Sequence, residues 1–450
     1  MIGNGTLNRG RWLTRSALGI ALATGVVAAG TLAPTAAMAQ KKKDKAPKME
    51  FSKNFVAVAA PAQEAVNTLD ANDTAAVASA KTAVDQAYGA IENDDDRYLA
   101  GSLAVSLGGK IKDPAMQRRG LKDMLASGKT DAESTARFNS LVGQLSYQAK
   151  DYAEAIQYME AAKAAGYQDG NADALLAEAY LANGNTAKGL NILKTSLASQ
   201  AAAGQPGPES WYRRGLSAAY QAGMVNEAGD FGMMLVKAHP TPKNVGVAAT
   251  IVREAGKFGS QETLDLMRLM GRTNSYAEKR DYIEYIEAAD PRRLPGEVIS
   301  VIDAGVSSGM LNTSEVFVSD ARSQAQGRLS ADRAGLDAYA SDAGKAGATE
   351  STISGAADAL LSYGRAAEAE ALYTTALTKP GVDRDRTLTR LGIAQYDQGK
   401  LAAAQETFAK VSGTRAPIAR LWGAYTAAKA SGVTASANAA PVSAAATTGS

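Results

Sequence analysis

The chain has 450 residues, enough for two or three compact domains or for one elongated repeat array. It holds no cysteine and one histidine, which removes disulfides, thiol chemistry and the common zinc sites. Its formal charge of +2 hides an uneven distribution: three arginines precede residue 40 and five lysines against Asp44 lie in residues 40–48, leaving −5 from residue 49 onward and no basic stripe for nucleic acid.

Residues 1–39 read as a signal peptide. Arg9, Arg11 and Arg15 precede an apolar run of 16 residues, Ala17 to Leu32, and Ala37-Met38-Ala39 offers a small-x-small cleavage pattern before Gln40. The run is shorter than the about 20 residues a membrane span needs. The expectation is cleavage between Ala39 and Gln40, a periplasmic or secreted protein, and no transmembrane segment after cleavage. The arginines are not adjacent, as a twin-arginine signal would require, and no cysteine follows the site to carry a lipid anchor. Residues 40–50 form a lysine-rich linker, in which Lys41, Lys42, Lys43, Lys45 and Lys48 serve as a solvated tether or touch anionic lipid or polysaccharide.

From residue 51 the pattern is helical. Alanine is abundant and aromatics make up only 6% of the chain, a balance that favours packed helices over sheets. Residues 51–130 predict four helices, Asn54 to Leu69, Thr74 to Ile91, Arg97 to Lys110 and Pro114 to Ala126. Asp94 to Asp96 and Asp113 act at N-termini, and Pro61 kinks or shortens the first helix. Residues 131–241 hold three phased helix pairs. Residues 242–348 predict six further helices, the last two being Ser314 to Gln326 and Ala331 to Ala343, with Pro291, Gly309 and Gly327 as punctuation. Residues 349–430 return to the phased pattern and end in a helix, Pro417 to Ala428, that bears Trp422 and caps the array. Residues 431–450, rich in Ala, Ser and Thr without aromatic or charge, read as disorder.

The phased pairs share a spacing. "GQLSYQAKDYAEAIQYMEAA" has Gly143, Tyr147, Ala155 and Met159, with Lys150 in the place of the inter-helix glycine. "AEAYLANGNTAKGLNIL" has Ala177, Tyr180, Gly184, Gly189 and Leu193, and "LSAAYQAGMVNEAGDFGMM" has Tyr220, Gly223 and Ala228. "ADALLSYGRAAEAEALYTTALTKP" has Gly364, Ala369 and Tyr373, and "LGIAQYDQGKLAAAQETF" has Gly392, Tyr396, Gly399, Ala404 and Phe408. Lys150 to Gly184 is 34 residues and Gly364 to Gly399 is 35. Gly184 to Gly223 is 39, the loop from Ala201 to Pro208 absorbing the excess. Small residues let paired helices approach, large ones fill between layers, and the glycine takes the left-handed conformation that ends a helix.

On these residues the chain resembles the tetratricopeptide repeat (TPR) family. The resemblance implies an all-α, right-handed α-solenoid of stacked antiparallel helix pairs, about ten pairs with a C-terminal capping helix. It also implies that first helices line a concave groove where a protein or peptide partner binds. Transferring groove positions residue by residue gives Gln144, Tyr147 and Gln148 in the first phased pair and Glu178 in the second. The third gives Arg213, Ser217, Tyr220 and Gln221, and the last Arg390 and Tyr396. Leu181, Leu361 and Ile393 fall at equivalent positions and imply a partly apolar groove. The carboxylate clamp of chaperone-binding relatives is matched only by Arg214, since Ser140 and Leu175 stand where clamp residues belong.

Chemistry-bearing strings read as structural. His239 sits beside Pro240 at a helix end, where it caps carbonyls. "GVSSG", Gly305 to Gly309, has the nucleophile-elbow spacing around Ser307, but it follows a helical pattern and no histidine comes after it. "SGKT", Ser127 to Thr130, lacks the first glycine and the strand of a P-loop. "ENDDDR", Glu92 to Arg97, lacks the alternation of a calcium loop and reads as helix capping. The pairs Arg118-Arg119, Arg213-Arg214 and Arg292-Arg293 diverge on their helices and cannot act as clamps. The expected function is a non-enzymatic scaffold or adaptor without cofactor, metal or nucleic acid, in envelope assembly or export. An envelope carbohydrate-binding protein or enzyme acting on peptidoglycan or exopolysaccharide is the alternative, and a plain spacer a third.

Overall fold

A computed structural model describes residues 49–167 and 171–432, and its described residues are all helix, turn and coil. The signal peptide, the lysine run through Lys48 and the tail from Val433 lie outside the described residues. The chain divides into two compact units, residues 1–196 and 197–450.

Unit 1 contains α1 (Lys53–Asn67), α2 (Thr74–Gly89), α3 (Asp94–Lys110), α4 (Pro114–Ala126), α5 (Ala132–Gln148), α6 (Tyr152–Ala164) and α7 (Ala172–Ala182). Each helix packs mainly on the next one or two in sequence, so the apolar core is serial. Phe55, Val66, Val84 and Leu107 form one cluster, Leu121, Phe138 and Val142 a second, and Ile156, Met159, Leu176 and Tyr180 a third. Pro61 lies inside α1 without ending it. Asn93 is the N-cap of α3, its side chain accepting from the Asp96 N–H at 2.9 Å, with Asp94 to Asp96 in the first turn. Asp113 caps α4 as expected.

The helix α8 (Thr186–Ala202) runs across the boundary between the units. Unit 2 continues with α9 (Glu209–Gln221), α10 (Val225–Ala238), α11 (Pro242–Gly256), α12 (Ser260–Thr273), α13 (Lys279–Ala289), α14 (Pro295–Ser307), α15 (Val316–Ala343), α16 (Glu350–Ser362), α17 (Ala366–Ala376), α18 (Arg384–Asp397), α19 (Leu401–Phe408) and α20 (Ala416–Ala430). The two helices expected across Gly327 are one, the 28-residue α15. A single glycine weakens a helix by only ~1 kcal/mol, and Gly327 has neither a positive φ nor a proline beside it.

The repeat grammar is visible in both units. Lys150, Gly184, Gly223, Gly364 and Gly399 all have left-handed backbone, φ 62°, 82°, 70°, 76° and 75°, so Lys150 does what the glycines do. Sixteen residues separate Gly143 from Met159, Gly215 from Phe231 and Gly392 from Phe408. A Cβ at each glycine would lie 2.5, 2.2 and 2.5 Å from the paired side chain, closer than any real contact. The first helix of each pair is therefore pressed onto a large side chain of the second. Stacked antiparallel helix pairs of the TPR type are thus the architecture of the described chain.

In unit 2 the C-terminal helix α20 packs on α19, as a cap should, and also on α10, α11 and α12, while α18 touches α12. One continuous core joins Val236, Leu264, Ile302, Leu360, Leu391 and Trp422.

Candidate partner-binding faces

The expected groove residues fall into three environments. On α5 of unit 1, Gln144 and Tyr147 are half-buried and Gln148 is exposed. Gln144 lines a small cleft with Ser140 on α5, Met159 and Lys163 on α6, and Asp173 and Leu175 on α7. Its amide donates to Ser140 Oγ at 3.3 Å, and Lys163 pairs with Asp173 at 2.6 Å across one side of the cleft. The Tyr147 ring lies 5.6 Å from that of Tyr152. Below them Glu154 is held by Lys122, by Arg118 at 3.1 Å and by the Ser146 hydroxyl at 2.7 Å, so this end of α5 is firmly seated. Burial alone would raise the Glu154 carboxyl, but the Lys122 and Ser146 hydrogen bonds outweigh it and hold it below the usual value. The apolar walls with a few polar groups give this cleft the character of a side-chain subsite. Glu178 on α7, expected at the same face, is buried at 8% exposure, because every position from Ala174 to Tyr180 packs against neighbouring helices.

On α9 of unit 2 two of the expected residues, Arg213 and Tyr220, bridge to the next first helix, α11. Arg213 donates to Glu209 at 2.7 Å and to Asn244 Oδ1, and the Tyr220 hydroxyl donates to Glu254. Ser217 is half-buried, and Tyr220 and Gln221 remain exposed. The bridges orient these side chains without hiding them.

Arg390 and Tyr396 are a different case. Arg390 is fully buried and Tyr396 is 5% exposed, so neither lies on an open face. Arg390 on α18 donates to Asp265 of α12 at 2.9 Å, to Asp358 of α16 and to Gln261 of α12 at 2.8 Å. Asp265 also receives Arg415, which pairs with Glu262 at 3.0 Å as well, and its backbone carbonyl accepts from Trp422 Nε1 at 2.9 Å. Next along α12, Arg268 forms a bidentate pair with Glu297 of α14 at 2.7 and 2.8 Å, and Tyr285 donates to the same carboxylate at 2.7 Å. Arg272 ends the row in a second fork, on Asp397, at 2.6 Å. Tyr396 is enclosed by Trp422 and Tyr425, ring centroids 5.3 and 6.3 Å away. The face of α18 that was expected to line an open groove is covered by α12, α16 and α20 of the same chain.

Charge sharing explains why so many ions tolerate burial. Burial alone would raise the carboxyl of Glu297, and Arg268, through charge and hydrogen bond, overcomes it and holds the group below the usual value. For Asp358 burial acts likewise and is outweighed by Arg390 and Arg268 with the Tyr373 hydroxyl. Sequence reasoning missed this network. Its signal was on α12, where Leu264, Leu266, Met267, Leu269 and Met270 surround the axis and leave no solvent side for Asp265 and Arg268.

The chemistry-bearing strings resolve into packing. His239 ends α10, its Nε2 2.9 Å from the Gly207 carbonyl and its ring 5.5 Å from Tyr212. Ser307 is the last residue of a helix rather than a strand-to-helix elbow. Lys129 of "SGKT" pairs with Asp95 at 2.9 Å. The arginine pairs diverge: Arg118 reaches Glu154 while Arg119 lies 3.8 Å over the Tyr88 ring, and Arg292 reaches Gln324 while Arg293 reaches Gln261 and Asp358.

These features define a helical-repeat protein of TPR-like architecture. No family model matches the chain, and no curated protein matches it. Among solved structures it is similar to the TPR2AB-domain:pHSP90 complex of yeast Sti1, at 15% identity and a TM-score of 0.23 over 68% of this chain and 99% of that one. It is also similar to the human IFIT1 dimer with m7Gppp-AAAA, at 16% identity and a TM-score of 0.21 over 81% and 78%. Overlays this loose carry no argument about partners, and the architecture stands on the helix pairing and turn geometry above.

Proposed function

We propose that the protein is a non-enzymatic scaffold that holds an extended segment of a partner protein against the first-helix face of unit 1, with Gln144, Tyr147 and Gln148 of α5 as its central contacts. The α9 residues Arg213, Ser217, Tyr220 and Gln221 form a second, separate contact face. The observation that carries this reading is the α5–α7 cleft: polar and aromatic side chains beside an apolar subsite, on a helix seated by the Glu154 network. A repeat stack recognises partners by such distributed contacts rather than through one deep pocket. Its scaffold role is further supported by His239 and the Asp94 to Asp96 cluster, which have structural tasks, and by Ser307, which ends a helix instead of standing at a strand-to-helix elbow. The signal-like first 39 residues support a periplasmic setting, and within it the proposed work is envelope assembly or export.

Crosslinking in intact cells, followed by affinity capture with wild type and with a Gln144→Ala/Tyr147→Ala/Gln148→Ala variant, tests this reading. A partner recovered by wild type and lost from the variant at unchanged thermal stability is the expected result. Equal recovery of every partner would remove the α5 face from the account.

A further inference from the structure

The cleft between α5, α6 and α7 is small, neutral and held at a fixed width, and these three properties limit what can enter it. Met159 and Ala162 of α6 with Leu175 and Leu176 of α7 form its apolar lining, and Ser140 and Gln144 of α5 stand beside them. The cavity is about 30 Å³, whereas a site for a free small molecule runs to roughly 300–1,000 Å³. It has room for about two water-sized groups. The occupant of that size is one short side chain of a longer chain lying across the face.

Ties across the cleft hold its walls. Lys163 of α6 pairs with Asp173 of α7 at 2.6 Å, and the Tyr180 hydroxyl of α7 donates to Glu160 of α6. On the α5 side, a Cβ at Gly143 would come within 2.5 Å of Met159 Cγ, so α5 and α6 are already in contact there. Walls fixed in this way read size instead of adapting to it. Because Lys163 and Asp173 already pair, a charged side chain entering the cleft loses its water and finds no free counter-charge. An aliphatic one loses only apolar hydration. Gln144 Nε2 donates to Ser140 Oγ at 3.3 Å, and among the described residues its Oε1 receives no hydrogen bond. That oxygen can accept from a peptide N–H next to the inserted side chain.

Resting on the reading that α5 carries the partner face, we propose that this cleft selects one short aliphatic side chain, alanine or valine, of an extended partner segment. Met159 and Ala162 set the size limit, and Gln144 holds the neighbouring peptide bond. Leucine, one methylene larger than valine, and the aromatic side chains are excluded by volume, and charged ones by desolvation.

The test selects a random peptide library on the purified full chain and measures labelled copies of the selected peptides by fluorescence polarisation. Selected peptides should bind wild type, fail on Gln144→Ala/Tyr147→Ala/Gln148→Ala, and share one alanine or valine position. Replacing that residue by leucine or phenylalanine should weaken binding at least about tenfold, the cost of a misfitting methylene. Ala162→Leu, which fills the cleft, should weaken the valine peptide as much. Met159→Ala, which enlarges it, should let the leucine peptide bind as well as the valine one, a gain that misfolding does not produce. Peptides that need the α5 residues yet tolerate leucine and phenylalanine on wild type overturn the subsite and leave the α5 face standing, as does a folded Met159→Ala variant that still rejects leucine. Absence of any peptide that depends on Gln144, Tyr147 and Gln148 overturns the face and the subsite together.

Discussion

Arg390 on α18 and Asp265 on α12, 125 positions apart in the chain, meet as a fully buried ion pair at 2.9 Å. The contact joins the last repeat of unit 2 to its early helices. It turns what would be an open first-helix face into an interior.

Removing one partner of a buried pair leaves the other charge stranded, which costs ~3–5 kcal/mol. Arg390→Ala takes one cation from Asp265, which keeps Arg415, and one from Asp358, which keeps Arg293, so it should destabilise toward the lower end of that range, lowering the urea midpoint of the far-UV CD transition. Arg390→Lys, which keeps charge but loses the fork, should fall between it and wild type. An Arg390→Ala midpoint equal to that of wild type would mean the network contributes nothing.

The glycine contacts make opposite predictions at two sites. Gly392→Ala places a methyl 2.5 Å from the Phe408 ring and should destabilise by roughly 1–3 kcal/mol. Gly355→Ala, on α16 with nothing within 4 Å, should stabilise by up to ~1 kcal/mol through helix propensity. Thermal unfolding of both variants checks the pair, and equal shifts of one sign would contradict the packing argument.

Lys150 holds φ 62°, where an L side chain is strained by about 1–2 kcal/mol and glycine is not. Lys150→Gly should therefore raise stability by about 1 kcal/mol, whereas Gly184→Ala or Gly399→Ala should lower it by a similar amount. A loss of stability in Lys150→Gly would show that the lysine side chain matters more than its backbone.

The carboxyls of Glu297 and Asp358 lie below their unfolded values, so in acid the unfolded chain binds protons more readily than the folded one. Their contribution is complete above the unfolded carboxylate pKa, about 4, and is lost as pH falls through the lower folded values. Urea midpoints should hold steady from neutral pH to about 5 and drop below about 4. The drop should be smaller in a paired Arg268→Met/Glu297→Leu variant, which removes both members of one ion pair. A wild-type midpoint unchanged down to pH 3 would exclude this linkage.

Much of the fold was legible because it is written in local spacing. Lys150, Gly184, Gly223, Gly364 and Gly399 mark the turns, and Gly143 with Met159 or Gly392 with Phe408 marks the contact between paired helices, all within sixteen residues or one repeat. The merger of two expected helices into α15 was not legible, because Gly327 is a weak breaker whose effect depends on what surrounds it. At the candidate site, the sequence located the first helices and hence Gln144, Tyr147 and Tyr220. Placing Arg390 and Tyr396 on the same face assumed a groove open along its length.

The sequence by itself determined the helix pairs and which of their residues must touch, since a periodicity of helical turns and a left-handed turn residue are properties of short segments. Only the tertiary structure decided which faces stay available. Asp265 receives Arg390 and Arg415 from far along the chain, and Trp422 closes over it, because charges and apolar surface that no single repeat can satisfy are satisfied when α18 and α20 pack against α12. Exposure belongs to that packing, which no repeat-length pattern encodes.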